Sequence, residues 1–430
     1  MNSKFKEIIL EIQNNHLDKA LILLEKIEVN NNEIDVKNNL FGSIYLRQNK
    51  WIQSIKFYEK IINPKNINEK ILNNIGVAYF NLGQVKKSVK YFNLGREKNQ
   101  NNFLSYRNLG ISYKYLGEYQ LAINSLLSAL KLKNDSLSQK LIVEILNYYI
   151  PEDDFDNKFL KTNTKIFQLT KKFKLSCNIK TEILKEFLEY SNNLINNLEI
   201  EFEETQIFRR NHLDLNCDRH FKVFYQSQII PKYCFGCYKI QINLKNVVDL
   251  IRLFLLFNEL ELTNKNERKC IVEKRSEVKE NYKGYIFCTG LKEAKNVFDI
   301  VRSNLQKNNL NPKKIEIKHG CTEYYSKYPD YKLINLDGDQ KMNYNEDWKN
   351  IEKNFDEKFF YNNRDTKIVG PSINKINLSD ILIIKNWLIY AKITGDISYK
   401  EILDTDLQIN YLGKVLENQI NFRKLNQKNF

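Results

Sequence analysis

Glu69-Lys-Ile-Leu-Asn-Asn-Ile-Gly76-Val-Ala-Tyr79-Phe-Asn-Leu-Gly83-Gln-Val-Lys-Lys-Ser88-Val-Lys-Tyr-Phe92 has a close echo one step later. That echo is Phe103-Leu-Ser-Tyr-Arg-Asn-Leu-Gly110-Ile-Ser-Tyr113-Lys-Tyr-Leu-Gly117-Glu-Tyr-Gln-Leu-Ala122-Ile-Asn-Ser-Leu126. The step is 34 residues: Gly42, Gly76 and Gly110 keep it, and Ile8 holds the place one step earlier. An aromatic follows each glycine by three (Tyr45, Tyr79, Tyr113), and a small residue follows by twelve (Ser54, Ser88, Ala122, with Ala20 in the first unit). Four further on stand Leu24, Tyr58, Phe92 and Leu126, and seven beyond the small residue stand Ile27, Ile61, Gly95 and Ala129. The period reads as two antiparallel helices per unit. The Gly and Ser/Ala positions mark close helix approach, and larger residues fill the space between. One pair cannot bury its own apolar face, so the pairs stack into a solenoid. Gly83 and Gly117 suit the left-handed cap between the two helices.

These residues resemble the tetratricopeptide repeat over residues 1–134, best in the units starting near Glu69 and Phe103. The family's terminal proline is replaced by Asn66, Gln100 and Asn134, and its early Trp position by Asn38, Leu72 and Tyr106. The resemblance implies a protein- or peptide-binding scaffold. Its concave groove would present the first helix of each pair, here through Asn39, Lys70, Asn73, Arg107 and Asn108. Amide and basic groups suit extended backbone, a carboxylate or an acidic tail. The alternative for each residue is a plain solvated helix face.

At 430 residues the chain has room for two or three domains, and 42% hydrophobic content lets it fold. With 14 Gly and 6 Pro, it is neither a Gly-rich phosphate-loop enzyme nor rich in flexible linkers. The formal charge of +15 favours nucleic acid, anionic lipid or acidic protein partners. Residues 1–150 carry +8 of it and residues 211–330 carry +7, so the excess forms two moderately basic regions instead of one basic arm. The N-terminus lacks a secretory signal. The most apolar run, Val247 to Phe257, is broken by Asp249 and Arg252 and is too short for a membrane span of about 20 residues. Seven cysteines then read as free thiols or metal ligands in a reducing, cytoplasmic compartment.

The expected organisation is α+β and multidomain. Residues 1–150 form the α-solenoid, closed by a capping helix from Leu137 to Ile150. Residues 151–210 form a helical connector, with Thr181 to Glu204 amphipathic. In residues 211–330 the periodicity predicts strand Cys237–Asn243, helix Val247–Leu260, strands Lys269–Lys274 and Tyr282–Cys288, helix Leu291–Leu305 and strand Lys314–His319. The order β-α-β-β-α-β is that of a ferredoxin-like domain. Residues 331–430 form a helical extension packed on that domain. Within it, Asn343–Phe360 and Tyr399–Leu416 read as helices, and Asn377-Leu-Ser-Asp380 caps a helix over Ile381–Ile393 that Gly395 ends.

Six of the seven cysteines and three of the four histidines lie between His212 and Cys321. Cys217-Asp-Arg-His220 and Cys234-Phe-Gly-Cys237 place two ligand pairs on tight turns, a spacing suited to structural zinc. Gly236 offers backbone freedom inside the second pair. The segment Phe221–Pro231 between them reads as strand and turn. Buried thiols without metal, or an iron–sulfur or redox role using the outer Cys270, Cys288 and Cys321, are the alternatives.

Lys283-Gly-Tyr-Ile-Phe-Cys288 resembles the start of the RNP1 motif of RNA recognition motifs, which would make Lys283, Tyr285 and Phe287 RNA contacts. Ile286 and Gly290 depart from that pattern, and core packing under the helices is the competing reading. No nucleophile elbow, phosphate loop, dinucleotide fingerprint or zinc-protease motif occurs, so no catalytic residue is assigned. An enzyme would have to use the Cys/His cluster, for example His319 with Cys321, while the repeats recruit its protein substrate. The reading is therefore a binding scaffold with a zinc-binding α/β domain. RNA association is the first alternative and catalysis the second.

Overall fold

The computed structural model describes residues 3–61, 63–151, 156–211, 215–275, 278–359, 361–368, 370–404, 407–409, 412–418 and 421. Two compact units emerge. One is Met1–Leu141 with Phe355–Ile368, and the other is Ile142–Asn354 with Val369–Phe430.

The first unit is built of helix pairs: α1 (Lys6–Gln13) with α2 (Leu17–Lys26), α3 (Ile34–Arg47) with α4 (Trp51–Tyr58), α5 (Glu69–Asn81) with α6 (Val85–Lys98), and α7 (Phe103–Tyr115) with α8 (Tyr119–Leu132). Helix α9 (Ser136–Ile145) follows. The turn inside each pair contains one left-handed residue: Asn15, Asn49, Gly83 and Gly117, with φ of 63°, 59°, 78° and 77°. These keep the 34-residue step, and Asn is the residue besides Gly that most readily adopts this conformation.

The repeat glycines mark helix contact. A β-carbon at Gly42 would sit 2.7 Å from the Tyr58 ring, one at Gly76 2.5 Å from Phe92, and one at Gly110 2.5 Å from Leu126. Tyr58, Phe92 and Leu126 are buried there. Ser54 donates its hydroxyl to the Gly42 carbonyl at 2.8 Å, which satisfies a polar group in the seam without needing water. Residues 355–368 return to this unit late in the chain. The Asp365 N–H donates to Gly83 O at 2.8 Å and the Ile368 N–H to Tyr115 O at 3.1 Å.

The second unit begins with α10 (Lys158–Phe173) and α11 (Thr181–Ile195), then β1 (Gln206–Arg209) and α12 (Cys217–Ser227). There follow β2 (Cys237–Leu244), α13 (Val247–Glu259), β3 (Arg268–Val272), β4 (Tyr282–Thr289), α14 (Leu291–Lys307) and β5 (Lys314–His319). Helix α15 (Trp348–Lys358) runs from this unit into the segment 355–368 of the first, and α16 (Leu378–Thr394) follows. The strands form one antiparallel sheet in the order β1-β3-β4-β2-β5. Gly284 faces Leu253 and Phe257 of α13, so even-numbered residues of β4 point to the helix-covered side. Helix α14 packs against β2, β4 and β5.

Two local expectations change. Residues 206–209, read as the end of a connector, form an edge strand paired with β3. The stretch after Cys217, read as strand and turn, is helix α12. His220, Val223 and Phe224 share its buried face, and that burial at positions i, i+3 and i+4 outweighs the β preference of its aromatic residues.

Helix α16 forms where the cap signal places it. The Asn377 side chain accepts from the Asp380 N–H, Asp380 accepts from the Asn377 N–H, and Gly395 closes the other end with φ 78°. This helix belongs to the unit's core and is no peripheral appendage, for it is buried from Leu378 to Ile384 and again from Asn386 to Ala391. Three of its polar side chains donate to backbone carbonyls: Trp387 to Thr205 O at 2.8 Å, Tyr390 to Glu273 O at 2.8 Å, and Asn386 to the carbonyls of Phe202 and Glu204. Of the helix expected over Tyr399–Leu416, residues 405–406 and 410–411 lie outside the described residues, Ile397–Glu401 forms a short 3-10 turn, and residues 412–418 are helical. Among the described residues no helix is long and apolar enough to cross a membrane.

Candidate functional site

On the solenoid, the residues assigned to the groove lie on the first helices α3, α5 and α7. Lys70 is exposed, and Asn39, Asn73, Arg107 and Asn108 are half-buried. Asn108 donates to the Asn73 side-chain oxygen at 2.8 Å, linking adjacent repeats. Arg107 pairs with Asp135 at 3.1 Å and lies 5.5 Å from the Phe103 ring. Part of the basic and amide chemistry is therefore committed within the repeats, and Lys70 is the exposed cation of the set.

In the second unit, Cys217, His220, Cys234, Cys237 and Cys321 line one small pocket with Leu215, Phe221, Tyr233, Gly320 and Tyr324. Cys217 opens α12, Cys234 lies in the 3-10 turn Lys232–Gly236, Cys237 opens β2, and Cys321 follows β5. The two expected ligand pairs thus face one space, although the first is on a helix and not on a turn. Gly236 needs no special freedom: its φ is unexceptional and nothing lies within 4 Å of where a β-carbon would be. The Cys234 thiol is 3.5 Å from the Tyr324 hydroxyl, and the His220 ring stacks on Tyr233 with centroids 5.1 Å apart. Burial raises the thiol pKa of Cys237 to about 12 and also raises those of Cys234 and Cys321. In this state they are thiols and not thiolates, which argues against a nucleophilic role. Among the described residues no group of three or more His, Cys, Asp or Glu is set at metal-ligand spacing.

Cys321 was legible only as an outlying cysteine, because 84 residues separate it from Cys237 and spacing cannot show that the strand order brings them together. His319 does not serve as a base for it. Its Nδ1 lies 2.8 Å from Tyr331 O and its Nε2 3.0 Å from Phe235 O, between the stacked rings of Tyr238 and Tyr331. Cys177, Cys270 and Cys288 are buried away from the pocket. His212 lies outside the described residues.

The RNP1-like residues divide. Tyr285 and Phe287 alternate with Gly284 and so face away from α13 and α14, contrary to the core reading under the helices. Lys269 lies 5.3 Å from the Tyr285 ring centroid and 5.8 Å from that of Phe287, and Lys239 lies 5.7 Å from Tyr285. Tyr285 is nonetheless buried, and burial lowers the Lys269 pKa to about 8, with the Lys239 charge adding to the effect. Lys283, expected as a nucleic-acid contact, is buried and pairs with Glu273 at 2.9 Å, so it is not an open basic group.

A tetratricopeptide repeat model matches residues 69–95 and 105–136. Among solved structures, MamA AMB-1 is 20% identical with a TM-score of 0.30, over 33% of this chain and 78% of that one. MamA MSR-1 is 14% identical with a TM-score of 0.26, over 39% of this chain and 90% of that one. No curated protein matches. The chain carries a tetratricopeptide segment, the class of module used as a protein-interaction scaffold.

Proposed function

We propose that this chain is a scaffold whose solenoid groove holds an extended protein segment with acidic or carboxylate character. The observation that carries this reading is the 34-residue repeat, with Lys70, Asn73 and Asn108 on its first helices. These supply one exposed cation beside a linked amide pair, a set suited to carboxylate and backbone groups. Cys177, Cys234, Cys237, Cys270, Cys288 and Cys321 are free thiols, which supports a reducing, cytoplasmic location. The alternation of β2, α13, β3, β4, α14 and β5 supports reading the second unit as a ferredoxin-like core with β1 added at its edge. Titration of the full chain with extended peptides, acidic against charge-neutral, tests the scaffold reading by fluorescence anisotropy. Acidic peptides should bind and Lys70→Ala or Asn73→Ala should weaken them about tenfold. Equal binding of both peptide classes, or none, would overturn it.

RNA association is a second reading, favoured by the placement of Tyr285 and Phe287 off the helix-covered side beneath two lysines. It requires Phe287→Ala to weaken binding of single-stranded RNA by the full chain. Loss of no affinity would end it.

A further inference from the structure

Residues 364–368 cross the turns of two neighbouring repeats without forming helix or strand. The Asp365 N–H donates to Gly83 O in the α5–α6 turn, and the Ile368 N–H donates to Tyr115 O at the end of α7. The Asp365 carboxylate takes the Lys86 N–H, and the Tyr115 hydroxyl donates to Asp365 O at 3.3 Å. Three residues of extended chain reach about 10 Å. Packed helices stand about 8–10 Å apart, so an extended chain advances one helix every three residues. Asp365 and Ile368 meet the two repeats in that step.

The turn glycines make room for the crossing. A β-carbon at Gly83 would collide with the Arg364 side chain, and one at Gly117 would sit 2.7 Å from Ile368. The left-handed backbone does not by itself demand glycine, because Asn15 and Asn49 hold it in the first two pairs, where both are exposed. Glycine stands in the two turns that the segment crosses. The contact is also shallow: Thr366, Lys367 and Ile368 are exposed, Ile368 by 53%. A contact made of surface hydrogen bonds with little apolar burial opens locally at small cost.

We propose that this edge is a second peptide-binding surface of the solenoid, and that residues 364–368 are its resident occupant. The partner it fits is a protein segment that runs extended and carries Asp with an aliphatic residue three positions on. Such a segment displaces residues 364–368 and takes over their bonds to Gly83, Lys86 and Tyr115. The edge is separate from the groove. Helix α5 is 13 residues long, so Lys70 in its first turn and Gly83 beyond its end are about 20 Å apart. The intact chain presents its own segment at high effective concentration, so a free peptide competes poorly with it.

Fluorine NMR of a labelled peptide with the sequence Tyr361–Ile368, titrated with the full chain, tests this. The Asp365→Ala chain should bind the peptide about tenfold more tightly than the unaltered chain, because its resident segment is loosened. A peptide with alanine in the Asp365 place should lose that gain. In the Asp365→Ala background, Gly83→Asn or Gly117→Asn should remove binding, whereas Lys70→Ala should leave it unchanged. Asn15 and Asn49 occupy the same left-handed place in their own turns, so the asparagine variants keep the turn and fill the crossing. Equal binding by the unaltered and Asp365→Ala chains, binding by neither, or full binding in both glycine variants would overturn the proposal. A loss in Lys70→Ala would overturn it too, by assigning the peptide to the groove.

Discussion

The Asp365 carboxylate accepts the backbone N–H of Lys86 at 2.8 Å, across 279 positions of sequence. Lys86 is in the first turn of α6, whose own preceding residue, Gln84, makes no side-chain cap. A distant carboxylate thus takes the place of a local cap, and it also meets the positive end of the helix dipole. Asp365→Ala should destabilise the first unit by about 1 kcal/mol, and Asp365→Asn by much less, since Asn caps as well as Asp. Urea unfolding followed by far-UV circular dichroism reads this. An alanine variant with an unchanged midpoint would show that the contact contributes nothing.

The repeat seam makes a second prediction. Alanine in place of a mid-helix glycine ordinarily stabilises by up to about 1 kcal/mol. At Gly76 the new methyl would lie 2.5 Å from the Phe92 ring, and overpacking of this kind costs roughly 1–3 kcal/mol. Gly76→Ala should therefore be destabilising. Combined with Phe92→Ala it should cost less than the sum of the single changes, because the two sites touch. Additive behaviour would mean that the helices part freely.

Arg209 and Asp380 form a buried bidentate pair, with bonds of 3.0 and 2.8 Å between β1 and the start of α16. Both side chains are almost wholly out of solvent, at 5% and 0%. Asp380→Ala strands the guanidinium and removes half of the capping box, so a loss of about 3–5 kcal/mol is expected in the second unit. Arg209→Met with Asp380→Asn should recover part of it, because no charge is then left unpaired. Thermal unfolding of the single and double variants makes the comparison, and a double variant worse than Asp380→Ala would count against this account.

Glu273 sets an acid limit on the second unit. Burial alone would raise its pKa, but hydrogen bonds from Arg275 and Lys283 outweigh that and hold it at about 2, against an ordinary value of 4.5. A carboxyl whose pKa is lower in the folded state stabilises at neutral pH and loses that contribution as pH falls from about 4.5 toward about 2. Glu273→Gln should lower stability at pH 7 and flatten its dependence on pH across that interval. A wild type with equal stability at pH 5 and pH 3 would contradict this.

What could be read from sequence was what depends on neighbours within one or two turns or one repeat. Gly76 and Phe92 are 16 residues apart, and Asn377 and Asp380 only three, so close approach and helix capping both leave local signatures. The centrality of α16 was not legible, because its partners Phe202, Thr205 and Glu273 lie more than 100 residues away and are reached mostly through their backbone carbonyls. The cysteine pocket divides the same way. Cys217, His220, Cys234 and Cys237 were visible as a cluster, while the inclusion of Cys321 depends on β5 pairing with β2. The segment of helix α12 reads as strand because aromatic residues favour strands on average, and only the tertiary burial of Val223 and Phe224 decides otherwise.

Residues 355–368 also impose an order of events on the nascent chain. A ribosome releases α6 early, with the N–H of Lys86 still open to water, and goes on to make residues 142–354 of the second unit before Asp365 emerges. The module made first is therefore the one finished late, and a translation product that stops before Asp365 leaves that helix start uncapped however complete its repeats are.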